Sequence, residues 1–139
     1  MREILFRGKS AEDGKWFTGQ LLHFKSPVSK KELDIIVEGC EWDDFNEWCN
    51  IGRRAKVVPE TIGQYTGLTD KNCKMIFDGD IVQAHFRTNH SKQIFRVTFD
   101  DGMFIFNNGY VKLPVREIYG IKVIGNIHDN PELLKGDIK

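Results

Sequence analysis

Three cysteines, four histidines and twenty acidic side chains are the groups here that could ligate a metal, attack a substrate or move a proton. Their spacing narrows the options. Cys40, Cys49 and Cys73 form no C-x-x-C pair, and Cys40 and Cys49 stand too far apart in sequence for a zinc knuckle. His85 and His90 lie five residues apart across an expected strand end, which puts them on opposite faces if the backbone stays extended. With His23 and His128 they read as surface imidazoles, and the cysteines as buried thiols. Asp78 and Asp80 flank Gly79, and Asp100-Asp101 precede Gly102. Asp is favoured at such turns because it bonds its own backbone, whereas acid–base catalysis needs carboxylates that face each other across a substrate. No G-x-S-x-G, G-x-x-x-x-G-K or G-x-G-x-x-G occurs. The sequence therefore assigns no catalytic residue, no metal ligand and no cofactor, and an enzyme acting on a small molecule or nucleotide has no motif behind it.

Binding chemistry is more visible. Residues 38–48 hold Glu38, Glu41, Asp43, Asp44 and Glu47 with no basic residue, interleaved with Trp42, Phe45 and Trp48. Arg53, Arg54 and Lys56 follow closely. One reading is a solvated loop whose aromatic rings fold back onto the core. The other is an interaction surface formed by Trp42, Asp43, Asp44, Phe45 and Trp48, since tryptophan concentrates at interface hot spots. Self-association between this acidic segment and the basic triplet of a neighbouring subunit is one version of it. A nucleic-acid reading rests on Phe86-Arg87, Lys92, Phe95-Arg96, Phe104 and Phe106, a mixture of aromatic and basic residues used by single-strand binders. A strand period of two sets Phe95, Val97 and Phe99 on one face and Arg96 and Thr98 on the other, which fits a core-facing strand equally well. The balance of twenty Lys and Arg against twenty Asp and Glu removes the cation excess that non-specific nucleic-acid binding requires.

The elements that must position these groups are short strands. Residues 4–6 and 15–22 suggest a hairpin around Asp13-Gly14. Residues 29–39 are ambiguous: Ser29 and Glu32 have capping-box spacing, but Ile35-Ile36-Val37 is β-branched and Gly39 closes the run. A strand is the favoured reading. Residues 55–58 extend to Pro59, after which residues 59–63 fit one helical turn. Residues 64–80 are broken by Gly67, Asp70, Asn72 and Asp78-Gly79 into extended pieces. Five strands follow at 81–86, 93–99, 103–106, 110–113 and 119–127, with Asp101-Gly102 and Asn108-Gly109 as tight-turn dipeptides. Pro131-Glu132-Leu133-Leu134, capped by Asn130, reads as a last helical turn.

The expected class is mainly β with little helix: an N-terminal β layer and a C-terminal, SH3-like or barrel-like meander. One domain over residues 1–139 is the economical partition, with a possible subdivision into 1–62 and a turn-rich crossing plus barrel at 63–139. A hydrophobic content of 40% supports a packed core without disulfides or metal. The odd cysteine count points to a reducing compartment. Arg2, Glu3 and Arg7 interrupt any signal-peptide core, and no apolar run approaches the roughly 20 residues that span a bilayer. The expected location is the cytoplasm, with no membrane partner.

Three stretches carry a family resemblance. They are Arg2-Glu3-Ile4 through Phe6-Arg7-Gly8 with Trp16 and Gly19; Pro59-Glu60-Thr61-Ile62-Gly63-Gln64-Tyr65-Thr66-Gly67-Leu68-Thr69-Asp70-Lys71-Asn72 on to Phe77-Asp78-Gly79-Asp80-Ile81-Val82; and Val123-Ile124-Gly125-Asn126-Ile127-His128-Asp129-Asn130-Pro131-Glu132-Leu133-Leu134. Together they resemble the YopX family of small phage and prophage proteins over nearly the whole chain. The resemblance implies a β-rich protein of the bacterial host cytoplasm that assembles into oligomers, with a phage or host protein as a possible partner and no established catalytic residues. Gln64, Tyr65, Thr66, Gly67, Leu68, Asp70, Gly79, Asp80, Gly125, Asn126 and Pro131 are the signature positions, and turn chemistry makes a structural role their first reading. Asp80 is expected to bond backbone donors at its turn while Ile81 or Val82 enters the core. Cys73 stands where the family commonly has glycine, so the turn is expected to tolerate a right-handed conformation there or to have relaxed.

Overall fold

The computed structural model describes residues 2–134 of the chain, which divides into two compact units, Met1–Gln64 and Tyr65–Lys139. Among the described residues every strand pairing is antiparallel, and helical structure is confined to 3₁₀ turns at Pro59–Thr61, Val115–Glu117 and Pro131–Leu134. The protein is mainly β.

The first unit contains β1 (Phe6–Lys9), β2 (Trp16–Lys25), β3 (Glu32–Asp43) and β4 (Trp48–Lys56), paired in the order β4-β3-β2-β1. β1 also pairs Phe6 with Gln64 and Arg7 with Gly63 at the start of β5 (Gly63–Thr69). The ambiguous segment is a strand. Ile35-Ile36-Val37 pairs with Leu22, Leu21 and Gln20 on one side and with Lys56, Ala55 and Arg54 on the other. The capping-box residues Ser29 and Glu32 start no helix, because Ser26 O accepts the Lys30 N–H and Lys30 takes φ 61°, which turns the chain back into β3. Phe17, Ile36 and Val57 form the buried centre, flanked by Phe6, Leu21, Ala55 and Ile62.

In the second unit β5 continues from Tyr65 and pairs with β6 (Met75–Phe77) through Tyr65–Phe77 and Thr69–Met75. A five-stranded sheet follows. It consists of β7 (Asp80–Phe86), β8 (Lys92–Asp100), β9 (Met103–Asn107), β10 (Lys112–Leu113) and β11 (Ile118–Asn126), in the order β10-β9-β8-β7-β11. Its buried face carries Val82, Ala84, Phe95, Val97, Phe106, Ile118 and Val123, packed with Ile76. Asp101 and Gly102, at φ 50° and 77°, close the Asp100–Met103 pair as a two-residue hairpin turn. Asn108-Gly109 behaves differently. Asn107 Oδ1 accepts the Gly109 N–H, and the buried Asn108 accepts those of Tyr110 and Val111, so the connection is longer and β10 shrinks to two residues.

Candidate functional site

β2 pairs with β3 only as far as Val37. Beyond it, β3 and β4 continue from Glu38–Arg53 to Asp43–Trp48 as a two-stranded ribbon. The base is tied down: Glu38 Oε1 accepts the Thr18 N–H at 3.2 Å, Arg53 Nε lies 3.6 Å from Glu38 Oε2, and the Arg53 guanidinium sits over the Phe17 ring. The tip is closed by Asp43. Its carboxylate accepts from Asn46 Nδ2 at 2.8 Å and from the N–H groups of Phe45 and Asn46. The side-chain bond from Asn46, then the Asn46 and Phe45 N–H groups, hold the Asp43 carboxyl below its ordinary pKa.

Strand alternation distributes the ribbon's side chains. Trp42 faces Cys49 across the pair and Cys40 faces Ile51, so these four share one side. Glu41, Asp43, Trp48 and Asn50 share the other. Trp42, Phe45 and Trp48 are 60%, 94% and 66% exposed. The aromatic rings therefore do not fold back onto the core; a ribbon with no third strand beside it has no core to offer them. Asp44 is exposed at the same turn.

The cysteines depart from expectation. Cys40 and Cys49 are joined as a disulfide across β3 and β4, with Cα atoms 6.1 Å apart. A hairpin brings together residues whose sequence separation had argued against a shared site. Cys73 is free, exposed rather than buried, and adopts φ 63°. Neither a right-handed conformation nor a relaxed turn is present. The left-handed residue is held because the Asp70 carbonyl accepts the Cys73 N–H, and the Asp70 carboxylate accepts those of Asn72 and Lys74. The histidines also depart. Phe86 O accepts the His90 N–H and His90 takes φ 59°, which folds it back toward Tyr119 on β11. His85 stacks on the Tyr119 ring at 5.2 Å, and His90 Nδ1 lies 2.9 Å from its hydroxyl, so both meet one side chain. Among the described residues no three His, Cys, Asp or Glu side chains form a group able to hold a metal ion.

The signature residues lie elsewhere. Tyr65 is buried against the Phe77 ring, Thr66 Oγ1 donates to Ile76 O at 2.8 Å and accepts the Leu68 N–H, and Leu68 packs on the core. Gly67 and Gly79 have φ 86° and 90°. Asp70 Oδ2 accepts the Val123 N–H at 2.9 Å, and Asp80 Oδ2 accepts the Phe77 N–H at 2.8 Å, while Ile81 and Val82 are fully buried. Asn126 Oδ1 accepts the N–H groups of His128 and Asp129, Asn130 Oδ1 lies where a Gly125 side chain would project, and Pro131 opens the last 3₁₀ turn. Gln64 pairs with Phe6. Of the strand residues weighed for base stacking, Phe95 and Phe106 have no exposed surface.

The YopX protein family model matches residues 5–135. The chain belongs to the YopX protein family. This YopX-family chain is similar to the crystal structure of protein EF1440 from Enterococcus faecalis, with 26% identity and a TM-score of 0.64 over 97% of this chain and 100% of that one. It is also similar to protein yopX from Bacillus subtilis, at 18% identity and a TM-score of 0.48 over 97% and 100% of the two chains. No curated protein matches it. No helix among the described residues is long and apolar enough to cross a membrane.

Proposed function

We propose that this YopX-family chain is a non-enzymatic accessory protein, phage- or prophage-encoded, that works through protein contacts and assembles with copies of itself. The β3–β4 ribbon is the contact surface. The supporting observation is the exposure of Trp42, Phe45 and Trp48 on a ribbon whose base is anchored by Glu38, Arg53 and Phe17. Aromatic anchors presented on a fixed element lose little conformational entropy on docking. The tip carries Glu41, Asp43, Asp44 and Glu47 with no cation, while β4 exposes Arg53, Arg54 and Lys56. Copies can therefore approach with opposite charges facing. Replacing Trp42 and Trp48 by alanine tests this: oligomer mass by light scattering and capture of partner proteins should both fall, and unchanged assembly with unchanged capture would refute it.

A further inference from the structure

The second unit carries a basic cleft that the ribbon does not explain. Its volume is about 420 Å³, and its walls include Lys71, Arg87, Arg116, Tyr119, Val115 and Ile121. It is shallow and largely open to solvent, so what marks it is the chemistry of its walls. Three different segments supply the cations: the turn before β6, the turn after β7 and the 3₁₀ turn before β11. Arg87 is held in place at three points. Its backbone N–H donates to Glu117 O at 3.0 Å, its Nε donates to Arg116 O at 2.8 Å, and its guanidinium lies 5.8 Å from the Tyr119 ring centroid. Those contacts occupy Nε and leave the terminal nitrogens of the fork. No carboxylate among the described residues pairs with Arg87 or Lys71, whereas Arg116 Nε lies 3.6 Å from Glu117 Oε1.

The acidic group nearest to hand is already committed. Asp70 lines the cleft and keeps its negative charge there, but its buried carboxylate accepts three backbone N–H groups and forms no ion pair with Arg87 or Lys71, so the two cations together outweigh it. Beside the cleft, His85 stacks on Tyr119, and its buried Nδ1 has no hydrogen-bond partner among the described residues. It lies 3.2 Å from where a Cβ on the cleft residue Gly120 would stand. A positioned guanidinium fork with a lysine beside it is the arrangement that recognises tetrahedral oxyanions, bidentately through Arg and as a point charge through Lys.

We infer that this cleft binds a phosphate group, with Arg87 and Lys71 as its ligands and the apolar wall of Val115 and Ile121 receiving the body that bears it. The phosphate can come from a free nucleotide or from a nucleic-acid strand, and the experiment separates the two. Full-length protein is titrated at low salt with inorganic pyrophosphate, AMP and a short oligothymidylate, followed by calorimetry and amide shifts. Binding should weaken about tenfold or more in Arg87→Gln and Lys71→Gln, since each removes a charge-assisted contact. Lys112→Gln, which alters a cation paired with Asp100, should bind as wild type. Saturation by AMP or pyrophosphate assigns a small-molecule phosphate. Oligothymidylate binding alone, with a steep salt dependence, assigns a strand. The Lys71 side chain has no partner among the described residues, so Lys71→Gln carries the test if Arg87→Gln fails to fold. No binding of any probe at millimolar concentration, or equal binding by Lys71→Gln and wild type, overturns the inference.

Discussion

Replacing Asp70 tests how the second unit is tied together. Asp70 is 7% exposed, and its carboxylate accepts N–H groups from Asn72 at 2.8 Å, Lys74 at 2.9 Å and Val123 at 2.9 Å. The bonds are unequal in consequence. Asn72 and Lys74 are exposed and their N–H groups can turn to water, whereas Val123 is buried on β11. Asp70→Asn preserves shape but has one acceptor oxygen where the carboxylate has two, so its amide nitrogen must face either the Val123 N–H or those of Asn72 and Lys74. A donor left unpaired costs about 1–3 kcal/mol, and losing charge assistance at the bonds that remain raises the total to about 2–4 kcal/mol. For a unit of this size that corresponds to a fall in Tm of about 8–30 °C. Urea denaturation gives the free energy, and hydrogen exchange at the Val123 amide reports the bond itself.

The same residue sets an acid dependence. Burial acts to raise the Asp70 pKa, but the N–H groups of Val123, Lys74 and Asn72, with the Lys74 charge, outweigh it and hold the group below its ordinary value of 3.8. A carboxyl depressed by folding contributes stability that is present above its unfolded pKa and lost as pH falls through its folded pKa. Asp70→Asn should therefore lose most at neutral pH and converge on wild type in acid. Stability within about 0.5 kcal/mol of wild type at neutral pH, with unchanged Val123 exchange, would refute the reasoning.

Gly19→Ala should destabilise the first unit by about 3 kcal/mol or more in urea denaturation, because a Cβ there would overlap the Val37 carbonyl oxygen; wild-type stability would contradict this. Cys73→Gly should leave stability unchanged or raise it by up to about 1 kcal/mol, since glycine removes the left-handed strain at φ 63° but adds freedom to the unfolded chain. A clear loss in urea would show that the Cys73 side chain makes a needed contact. Thiol titration of denatured, unreduced protein should find one reactive cysteine, Cys73, and three after reduction. Three before reduction would contradict the Cys40–Cys49 bond.

What was legible in the sequence was local. β-branched Ile35-Ile36-Val37 marked β3, Asp101-Gly102 marked a hairpin, and alternation put Phe95 and Val97 inward. Phe99, on the same alternation, is 56% exposed because it lies at the strand's end, where it meets Phe104 edge-on. What was not legible depends on pairing between distant segments. The Asp70–Val123 bond spans 53 residues, and His85 and His90 meet only because β11 brings Tyr119 beside β7. The acidic-aromatic stretch was visible as composition, but its exposure depends on where β2 stops pairing with β3. Cys40 and Cys49 could have been read together: in a hairpin closed near Asn46, residues nine apart stand diagonally opposite.

The proposed role turns on the ribbon, and light scattering of wild type beside Trp42→Ala/Trp48→Ala tests it most directly. The account predicts a wild-type mass several times the 16.1 kDa of one chain, and a double variant whose mass falls toward that value with its fold intact. A monomeric wild type, or a variant that keeps the full oligomer mass, would contradict it.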